Sequence, residues 1–252
     1  MSKIDLAVID GAEGDVFTLD NGKYLCLHFD GFHIQSMMAI DEPFKLCFSY
    51  VQAMMAFKLF NSNPQNILIV GLGGGSLSKH CHVRFPDARI KTIEISHDVI
   101  ALRDKFYIPQ NSERFQIVQA DARSYLPLVR ETKDVILLDA FTSKGLPEDL
   151  CSWEFYENCY EALRVDGIVV INLIQSDHRL YRILERISET FYGNCLIAFI
   201  EDCGNYIVVA RKSLLKIIDD AQNDRLRLEI KELNGVDIPQ FETFESFYAS
   251  DY

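Results

Sequence analysis

The 252-residue chain lacks several features that would indicate a function directly. No apolar run approaches the roughly 18 residues that a membrane-spanning helix needs. The first residues, MSKIDLAVIDGAEGD, contain no basic segment followed by an apolar stretch, and the sequence has no internal repeat. We therefore expect a cytoplasmic protein without a membrane partner.

Cysteine patterns typical of disulfide frameworks or zinc sites are also missing. The seven cysteines are scattered, and no two of them follow the C-x-x-C spacing. His80, Cys81 and His82 are adjacent in a predicted helix, so their side chains point in different directions. We expect no metal site.

Positive charge is in short supply. Against 37 Asp and Glu there are only 25 Lys and Arg, which gives a formal net charge of −12. Nucleic-acid affinity comes largely from cations that neutralise phosphates, so the composition argues against a nucleic-acid partner. An acidic surface attracts cationic ligands, but it is also an ordinary aid to solubility.

Hydrophobic residues are plentiful, at 48% of a length that suits one large domain or one domain with a small appendage. Residues 1–45 predict a small antiparallel sheet, because Asp20-Asn21-Gly22 and Asp30-Gly31 are turn signals between short β-rich segments. Residues 46–64 then show a helical spacing of apolar residues, which predicts a linking helix that ends at Asn61-Ser62-Asn63-Pro64.

Strand and helix patterns alternate over residues 65–235. The predicted strands are NILIV, RIKTIEI, FQIVQA, DVILLD and GIVVINLI, and the predicted helices cover residues 76–85, 97–106, a short stretch after Asp121, 153–163 and 177–191. Apolar strands separated by helices predict a mostly parallel sheet covered on both faces, and hence an α/β fold.

The last part of the sequence departs from this alternation. CLIAFIED and NYIVVARK are separated by only two residues, Cys203 and Gly204, which predicts an antiparallel hairpin at one edge of the sheet. A helix capped by Ser213 and an acidic tail over residues 236–252 are expected to follow.

A glycine-rich loop follows the first strand of the alternating region. Gly71, Gly73 and Gly75 precede a helix, where glycine permits positive φ and lets the backbone approach a ligand. Glu94 ends the second strand, where an acid can bind both ribose hydroxyls, and Asp121 follows the third. Singly these are turn glycines, an exposed acid and a helix N-cap; together they favour a nucleoside site.

An adenosyl ligand fits this pattern better than a dinucleotide does. Ser76 replaces the third glycine of the G-x-G-x-x-G pattern, and no second mononucleotide-binding half is present. An antiparallel last strand pair also departs from the usual dehydrogenase sheet. The sequence therefore predicts an adenosyl pocket.

From Gln35 to about Leu173 the sequence resembles the spermidine and spermine synthases, the polyamine aminopropyltransferase family. The shared motifs are FDGFHIQ, GLGGGS, IEISHDVI, QADARSYL, DVILLDAF and SWEFYENCYEALRVDGIVVINL. The resemblance implies an S-adenosylmethionine-dependent methyltransferase-like Rossmann fold after a small N-terminal antiparallel β domain. It also implies decarboxylated S-adenosylmethionine as co-substrate without a metal, and it suggests a homodimer.

The resemblance further implies roles for particular residues. Those that match the family's donor-binding positions are Gln35, Gly71, Gly73, Gly75, Glu94, Asp121 and Ala122. Asp139, at the end of the fourth strand, matches the catalytic carboxylate. An amine with a pKa near 10.4 is neutral in only about one part in 10³ at pH 7, so a carboxylate that orients the ammonium and takes its proton assists transfer. Gln35 has an alternative interpretation as a polar residue on an exposed strand face.

The acceptor side departs from the family pattern. Gly74 stands where the family has an acid that faces the transferred group. After Asp139 the loop reads Ala140-Phe141-Thr142, with Thr142 in place of a second acid, and Tyr50 is the remnant of a Tyr-His-Glu run. A polyamine would find fewer anions here, unless other acids compensate. The candidates are Glu148, Asp149, Glu201 and Asp202.

We therefore expect a transferase that binds decarboxylated or ordinary S-adenosylmethionine and transfers an aminopropyl or related group to a small amine or similar nucleophile. Two alternatives stay open. One is a methyltransferase of altered specificity, since a pocket without an acid at position 74 no longer disfavours the carboxylate of the donor. The other is a non-catalytic nucleoside-binding relative.

Overall fold

Two β-sheets organise the chain. The architecture comes from a computed structural model that describes residues 16–29, 33–142, 145–214, 224, 227, 228, 231, 239–243 and 247. One sheet has three strands in the order β1-β2-β3, and the other has eight in the order β11-β9-β10-β8-β7-β4-β5-β6. The α/β fold class expected from the sequence is confirmed.

The three-stranded sheet is antiparallel and consists of β1 (Phe17–Asp20), β2 (Tyr24–His28) and β3 (Ile34–Ala39). Its first turn forms where predicted. Gly22 has φ 79°, and its N–H donates to Asp20 Oδ1 at 2.8 Å, while Tyr24 N–H donates to Asn21 Oδ1 at 2.8 Å. The second predicted turn, at residues 30–31, lies outside the described residues.

The linking segment is helical, but the predicted continuous helix over residues 46–64 is too long. α1 (Ser49–Ala53) passes directly into a 3₁₀ helix (Met54–Leu59). Met54 to Phe57 are all fully buried, so this stretch has no polar face to present to water, and it packs beneath β8 and β10 in the tighter helical form. The segment is therefore part of the core.

The eight-stranded sheet is mostly parallel. Its strands are β4 (Asn66–Val70), β5 (Arg89–Glu94), β6 (Phe115–Gln119), β7 (Lys133–Leu138), β8 (Leu163–Ile174), β9 (Cys195–Ile200), β10 (Asn205–Arg211) and β11 (Glu242–Thr243). β6, β5, β4, β7 and β8 run parallel, whereas β10 pairs antiparallel with both β8 and β9.

The predicted antiparallel hairpin is thus present, but β9 is not the edge of the sheet. Within the tail predicted over residues 236–252, Glu242 and Thr243 pair antiparallel with Ile197 and Leu196. An uncovered strand leaves backbone N–H and C=O groups unpaired, and this short strand satisfies some of them.

Helices cover both faces of the large sheet. They are α2 (Ser76–Arg84), α3 (His97–Ala101), α4 (Ala122–Tyr125), α5 (Trp153–Ala162) and α6 (Leu180–Thr190). α3 is shorter than predicted, because the chain turns through residues 102–107, where Tyr107 has φ 53°. The helix expected after Ser213 lies outside the described residues. No helix in the described part of the chain is long and apolar enough to span a membrane.

β4 lies at the centre of two hydrophobic cores. Ile67 and Ile69 point to the face covered by the linking segment and α2, whereas Leu68 and Val70 point to the face covered by α5 and α6. The connections from β4 and β7 leave to opposite faces, which opens a crevice at the carboxyl ends of these strands.

The ends of β4 and β7 touch at Gly71, which has φ 95°. A Cβ built at Gly71 would overlap the carbonyl oxygen of Asp139 and lie 2.8 Å from its carbonyl carbon. Gly71 N–H donates to Ile93 O at 2.9 Å, and Asp139 N–H donates to Val70 O at 2.9 Å. Three strand ends are therefore joined at one point, and only glycine fits there.

Replacing this glycine tests the contact. Gly71→Ala is expected to lower the free energy of unfolding by at least about 3 kcal/mol, since it adds a backbone overlap to a left-handed residue. Gly193→Ala is the matched control, because Gly193 has φ 75° but nothing within 4 Å of its Cβ position, and it should cost only about 1–2 kcal/mol. Urea unfolding measures both, and equal losses would contradict the close approach.

Candidate active site

A cavity of about 340 Å³ lies at the carboxyl ends of β4, β5, β6 and β7, beside the three-stranded sheet. It gathers most of the residues that the sequence singles out. Those lining it are Gln35, Tyr50, Gly71, Gly73, Glu94, Asp121, Ala122, Asp139, Ala140, Phe141 and Thr142. Gly74 and Gly75 do not line it.

Gly75 shapes the turn that leads into α2. It has φ 72° at the start of α2, and a Cβ there would lie 2.6 Å from Ile108 Cγ1. Its N–H donates to Leu72 O at 2.8 Å, which closes the turn of the loop. The Cβ position of Gly75 points towards Ile108, and Gly75 does not line the cavity. The expected role of Gly75 in donor binding would therefore be to shape the loop and not to contact the donor.

Gly74 is packed against the side chains of Phe106 and Ser36. A Cβ there would lie 2.8 Å from both Phe106 Cδ1 and Ser36 Oγ. Phe106 is fully buried and Ser36 is 7% exposed. The position at which the resembled family has an acid is thus bounded here by an aromatic ring and a hydroxyl.

Glu94 supports the glycine-rich loop. Its Oε2 accepts from Leu72 N–H at 2.9 Å, and its Oε1 accepts from Ser96 N–H at 2.8 Å. Each carboxylate oxygen can accept more than one hydrogen bond, so both remain able to accept from a pair of vicinal hydroxyls. The side chain is held by two backbone groups and is partly exposed in the cavity.

Arg123 joins two acids of the cavity wall. Asp121 caps α4 by accepting from Arg123 N–H at 2.9 Å, and its other oxygen accepts from Arg123 Nε at 2.9 Å. The same guanidinium pairs with Asp149. These hydrogen bonds from Arg123 lower the pKa of Asp121 below its usual value. Arg123 is a site residue that the sequence did not reveal.

Asp139 is held by a chain of two buried asparagines. Asn172 Nδ2 donates to Asp139 Oδ1 at 2.9 Å, and Asn205 Nδ2 donates to Asn172 Oδ1 at 2.8 Å. Burial raises the pKa of Asp139 from 3.8 to about 6, although the Asn172 hydrogen bond opposes this by stabilising the charged form. At neutral pH Asp139 is mostly ionised, yet it is a stronger base than an ordinary aspartate.

Tyr50 lies close to this carboxyl group. Burial, and then the charge of Asp139, raises the pKa of the phenol well above its usual value, so the hydroxyl stays protonated. The ring stacks on Phe48 with centroids 5.7 Å apart. The sequence placed Tyr50 here only through a weak resemblance.

Several lining residues were missed by sequence reasoning. Apart from Arg123, they include Phe29, Ser36, Ser76, Ile95, Pro147 and Leu150. Two signals were available in the sequence: Asn172, which contacts Asp139 without lining the cavity, is a polar residue inside the apolar run GIVVINLI, and Ile95 is a large apolar residue directly after Glu94. In the structure the Ile95 side chain is 63% exposed. An exposed apolar side chain in a cavity is typical of a ligand contact.

The His80-Cys81-His82 run is divided among separate environments. His80 Nδ1 contacts Phe44 O at 3.2 Å, Cys81 is fully buried, and His82 packs edge-on against Phe115. Over the described ranges, no cluster of three His, Cys, Asp or Glu side chains is arranged to hold a metal ion.

The chain is similar to proteins of one family in sequence and in fold. The model of the spermine/spermidine synthase domain matches residues 47–182. A polyamine aminopropyltransferase from Neisseria meningitidis serogroup A is 37% identical over 218 residues, which are 86% of this chain and 82% of that protein.

Two solved structures have a similar fold. A probable spermidine synthase from Corynebacterium glutamicum gives a TM-score of 0.76 at 20% identity, over 94% of this chain and 89% of that one. Human methyltransferase-like protein 13 in complex with SAH gives a TM-score of 0.66 at 22% identity, over 81% of this chain and 99% of that one. These likenesses confirm the methyltransferase-like fold expected from the sequence.

The raised pKa of Asp139 has a consequence for stability. The folded state binds the proton of Asp139 more tightly than the unfolded state does. The stabilisation of the fold by this proton is therefore fully present below pH 3.8 and is lost as the pH rises through about 6. Asp139→Asn, which is neutral at every pH, should therefore unfold with a free energy on the order of 2 kcal/mol higher above pH 7, with the gain shrinking towards pH 4.

Urea unfolding between pH 4 and 8 measures this difference. Asp177→Asn serves as a control of opposite sign, because Arg179 lowers the pKa of Asp177 and its loss should destabilise the protein at pH 8. A destabilised Asp139→Asn at pH 8 would show that the carboxyl group is not held in the buried setting described above.

Proposed function

The chain belongs to the spermine/spermidine synthase family and is a transferase, and we propose that it passes an aminopropyl or related group from an S-adenosylmethionine-type donor to an amine, with Asp139 as the catalytic carboxylate. One observation carries the proposal. A single cavity is lined by the loop and acids suited to a nucleoside and also by Asp139, whose pKa is raised.

The donor-binding half is argued from hydrogen-bonding capacity. Glu94 offers two preorganised carboxylate oxygens to the ribose hydroxyls, and Asp121 with Ala122 borders the place of the base. Gly73, with φ 52°, brings the backbone to the cavity without a side chain in the way, while Gly71 holds the same loop against the end of β7. Gln35 reaches the cavity from β3, in support of a donor contact rather than an exposed strand position.

The reaction needs a neutral amine and a place for its proton. The donor supplies a carbon activated by an adjacent sulfonium; the amine nitrogen bonds to that carbon, and the carbon–sulfur bond breaks with its electrons going to sulfur. Asp139 orients the ammonium, takes the proton released by the nitrogen and returns it to water. A carboxylate with a pKa of about 6 suits this task better than one near 4.

Asn172 and Asn205 position the base. Because Asn172 holds Oδ1 and is itself held by Asn205, the carboxylate plane is fixed and Oδ2 can be directed to the acceptor. Both asparagines are buried, so water competes little for these hydrogen bonds.

Methyl transfer is a second candidate function, favoured by the surroundings of Gly74. The wall there is formed by Phe106 and Ser36 rather than by an acid. Ser36 Oγ lies 3.4 Å from Ser76 Oγ, and both residues line the cavity, so two hydroxyls are available to a donor that keeps its carboxylate. A preference for undecarboxylated S-adenosylmethionine would select this function.

Calorimetry tests the donor site. Titration with methylthioadenosine, S-adenosylmethionine and its decarboxylated form should show binding of at least one, and Glu94→Gln should weaken it by about tenfold or more, because charged acceptors form stronger hydrogen bonds. Glu148→Gln, at an exposed acid outside the cavity, should change nothing. The donor site as drawn would be disproved by a failure of all three ligands to bind.

Turnover tests the base. Asp139→Asn should reduce kcat by about 10²- to 10⁴-fold with little change in donor affinity, and the rate of the parent should fall below pH 6 as the carboxylate becomes protonated. Glu148→Gln again serves as the control. If Asp139→Asn retained full activity, the catalytic role of Asp139 would be wrong. If the parent turned over no acceptor, a non-catalytic relative would be favoured.

A further inference from the structure

The part of the cavity around Asp139 differs in character from the nucleoside part. We call it the acceptor chamber and define it by Tyr50, Val51, Asp139, Ala140, Phe141 and Thr142. Apart from the carboxylate, its walls carry two aromatic rings, two aliphatic side chains and two neutral hydroxyls, those of Tyr50 and Thr142. Such walls suit an apolar body better than a second ammonium group.

The other acids of the cavity lie outside the acceptor chamber and have partners of their own. The described lining residues contain four carboxylates, at Glu94, Asp121, Asp139 and Asp149. Both oxygens of Glu94 accept from backbone N–H groups, and Asp121 and Asp149 share the guanidinium of Arg123. Asp139 is the carboxylate of this set that faces the chamber without a cationic partner.

The acids that might compensate for Thr142 lie elsewhere. Glu148, Glu201 and Asp202 are exposed and do not line the cavity. Both oxygens of Asp202 contact the hydroxyl of Ser49, at 2.6 and 2.7 Å. Asp149 does line the cavity, but its side chain is 64% exposed and is paired with Arg123.

We propose that the acceptor is a primary amine with one positive charge on an apolar body, rather than a diamine or polyamine. The proposal rests on the proposed function and names its substrate class. One ammonium is matched by Asp139, whereas a second, placed against the aromatic and aliphatic side chains of the chamber, would lose part of its hydration without a carboxylate to replace it.

A matched pair of amines tests this charge requirement. Pentylamine has the length of 1,4-diaminobutane, with a methyl group in place of the distal ammonium. At pH 8 both nitrogens of the diamine are protonated, since amine pKa values lie near 10.4. With whichever donor binds in calorimetry, the full chain should turn over pentylamine with a kcat/KM at least about tenfold higher.

A charge introduced into the chamber supplies the reverse test. Thr142→Asp places a carboxylate on an exposed position of the wall and should move the ratio of the two kcat/KM values at least about tenfold towards the diamine. Thr142→Asn has nearly the same shape without the charge and should leave the ratio unchanged. Release of the nucleoside thioether measures all of these rates.

The outcomes separate the two levels of the proposal. If the parent enzyme prefers 1,4-diaminobutane, the acceptor class is wrong and the proposed transfer reaction stands. A ratio that Thr142→Asp and Thr142→Asn change equally also contradicts the charge argument. If the chain binds a donor but turns over neither amine, the proposed function fails, and the acceptor class with it.

Discussion

The contact between Gly71 and the backbone of Asp139 is the constraint on which the site depends. Because no Cβ separates them, the loop after β4 and the end of β7 lie against each other. The same loop is tied to β5 through Glu94, which accepts from Leu72 N–H. The group that would hold the ribose and the group that would take a proton are thus fixed relative to each other by backbone geometry. Such positioning assists a transfer reaction by reducing the entropy lost when the reacting groups are brought together.

The second constraint is electrostatic. Asp139 is partly buried, so its charged form is disfavoured and its pKa is raised, while the hydrogen bond from Asn172, itself held by Asn205, opposes the rise and fixes the carboxylate. An ionised acid with a raised pKa destabilises the folded state, and such destabilisation is typical of functional sites. Position 142 of the acceptor chamber is a threonine, so Asp139 has no second carboxylate there. The number of carboxylates in the acceptor chamber therefore sets how much positive charge the proposed acceptor can carry. The proposed binding of the nucleoside does not depend on that number.

Much of the fold followed from local patterns. The Asn21-Gly22 turn, the apolar strands and the glycine-rich loop depend on near neighbours in sequence, and all three are present as predicted. Other features depend on tertiary contacts. The 3₁₀ form of Met54–Leu59 comes from burial on all sides, and β11 pairs with a strand 45 residues earlier at Ile197. Within the site, the sequence indicated Asp139 but not Asn172, because strand alternation gives no information about which polar group faces which acid.

A crystal structure with methylthioadenosine tests the central claim, that one cavity holds an adenosyl donor with its sulfur directed at Asp139. The account predicts ribose hydroxyls hydrogen-bonded to Glu94, the base beside Asp121 and Ala122, and the sulfur facing the Asp139 carboxylate at the mouth of the acceptor chamber. A nucleoside bound in the reverse orientation, or outside this cavity, would contradict it.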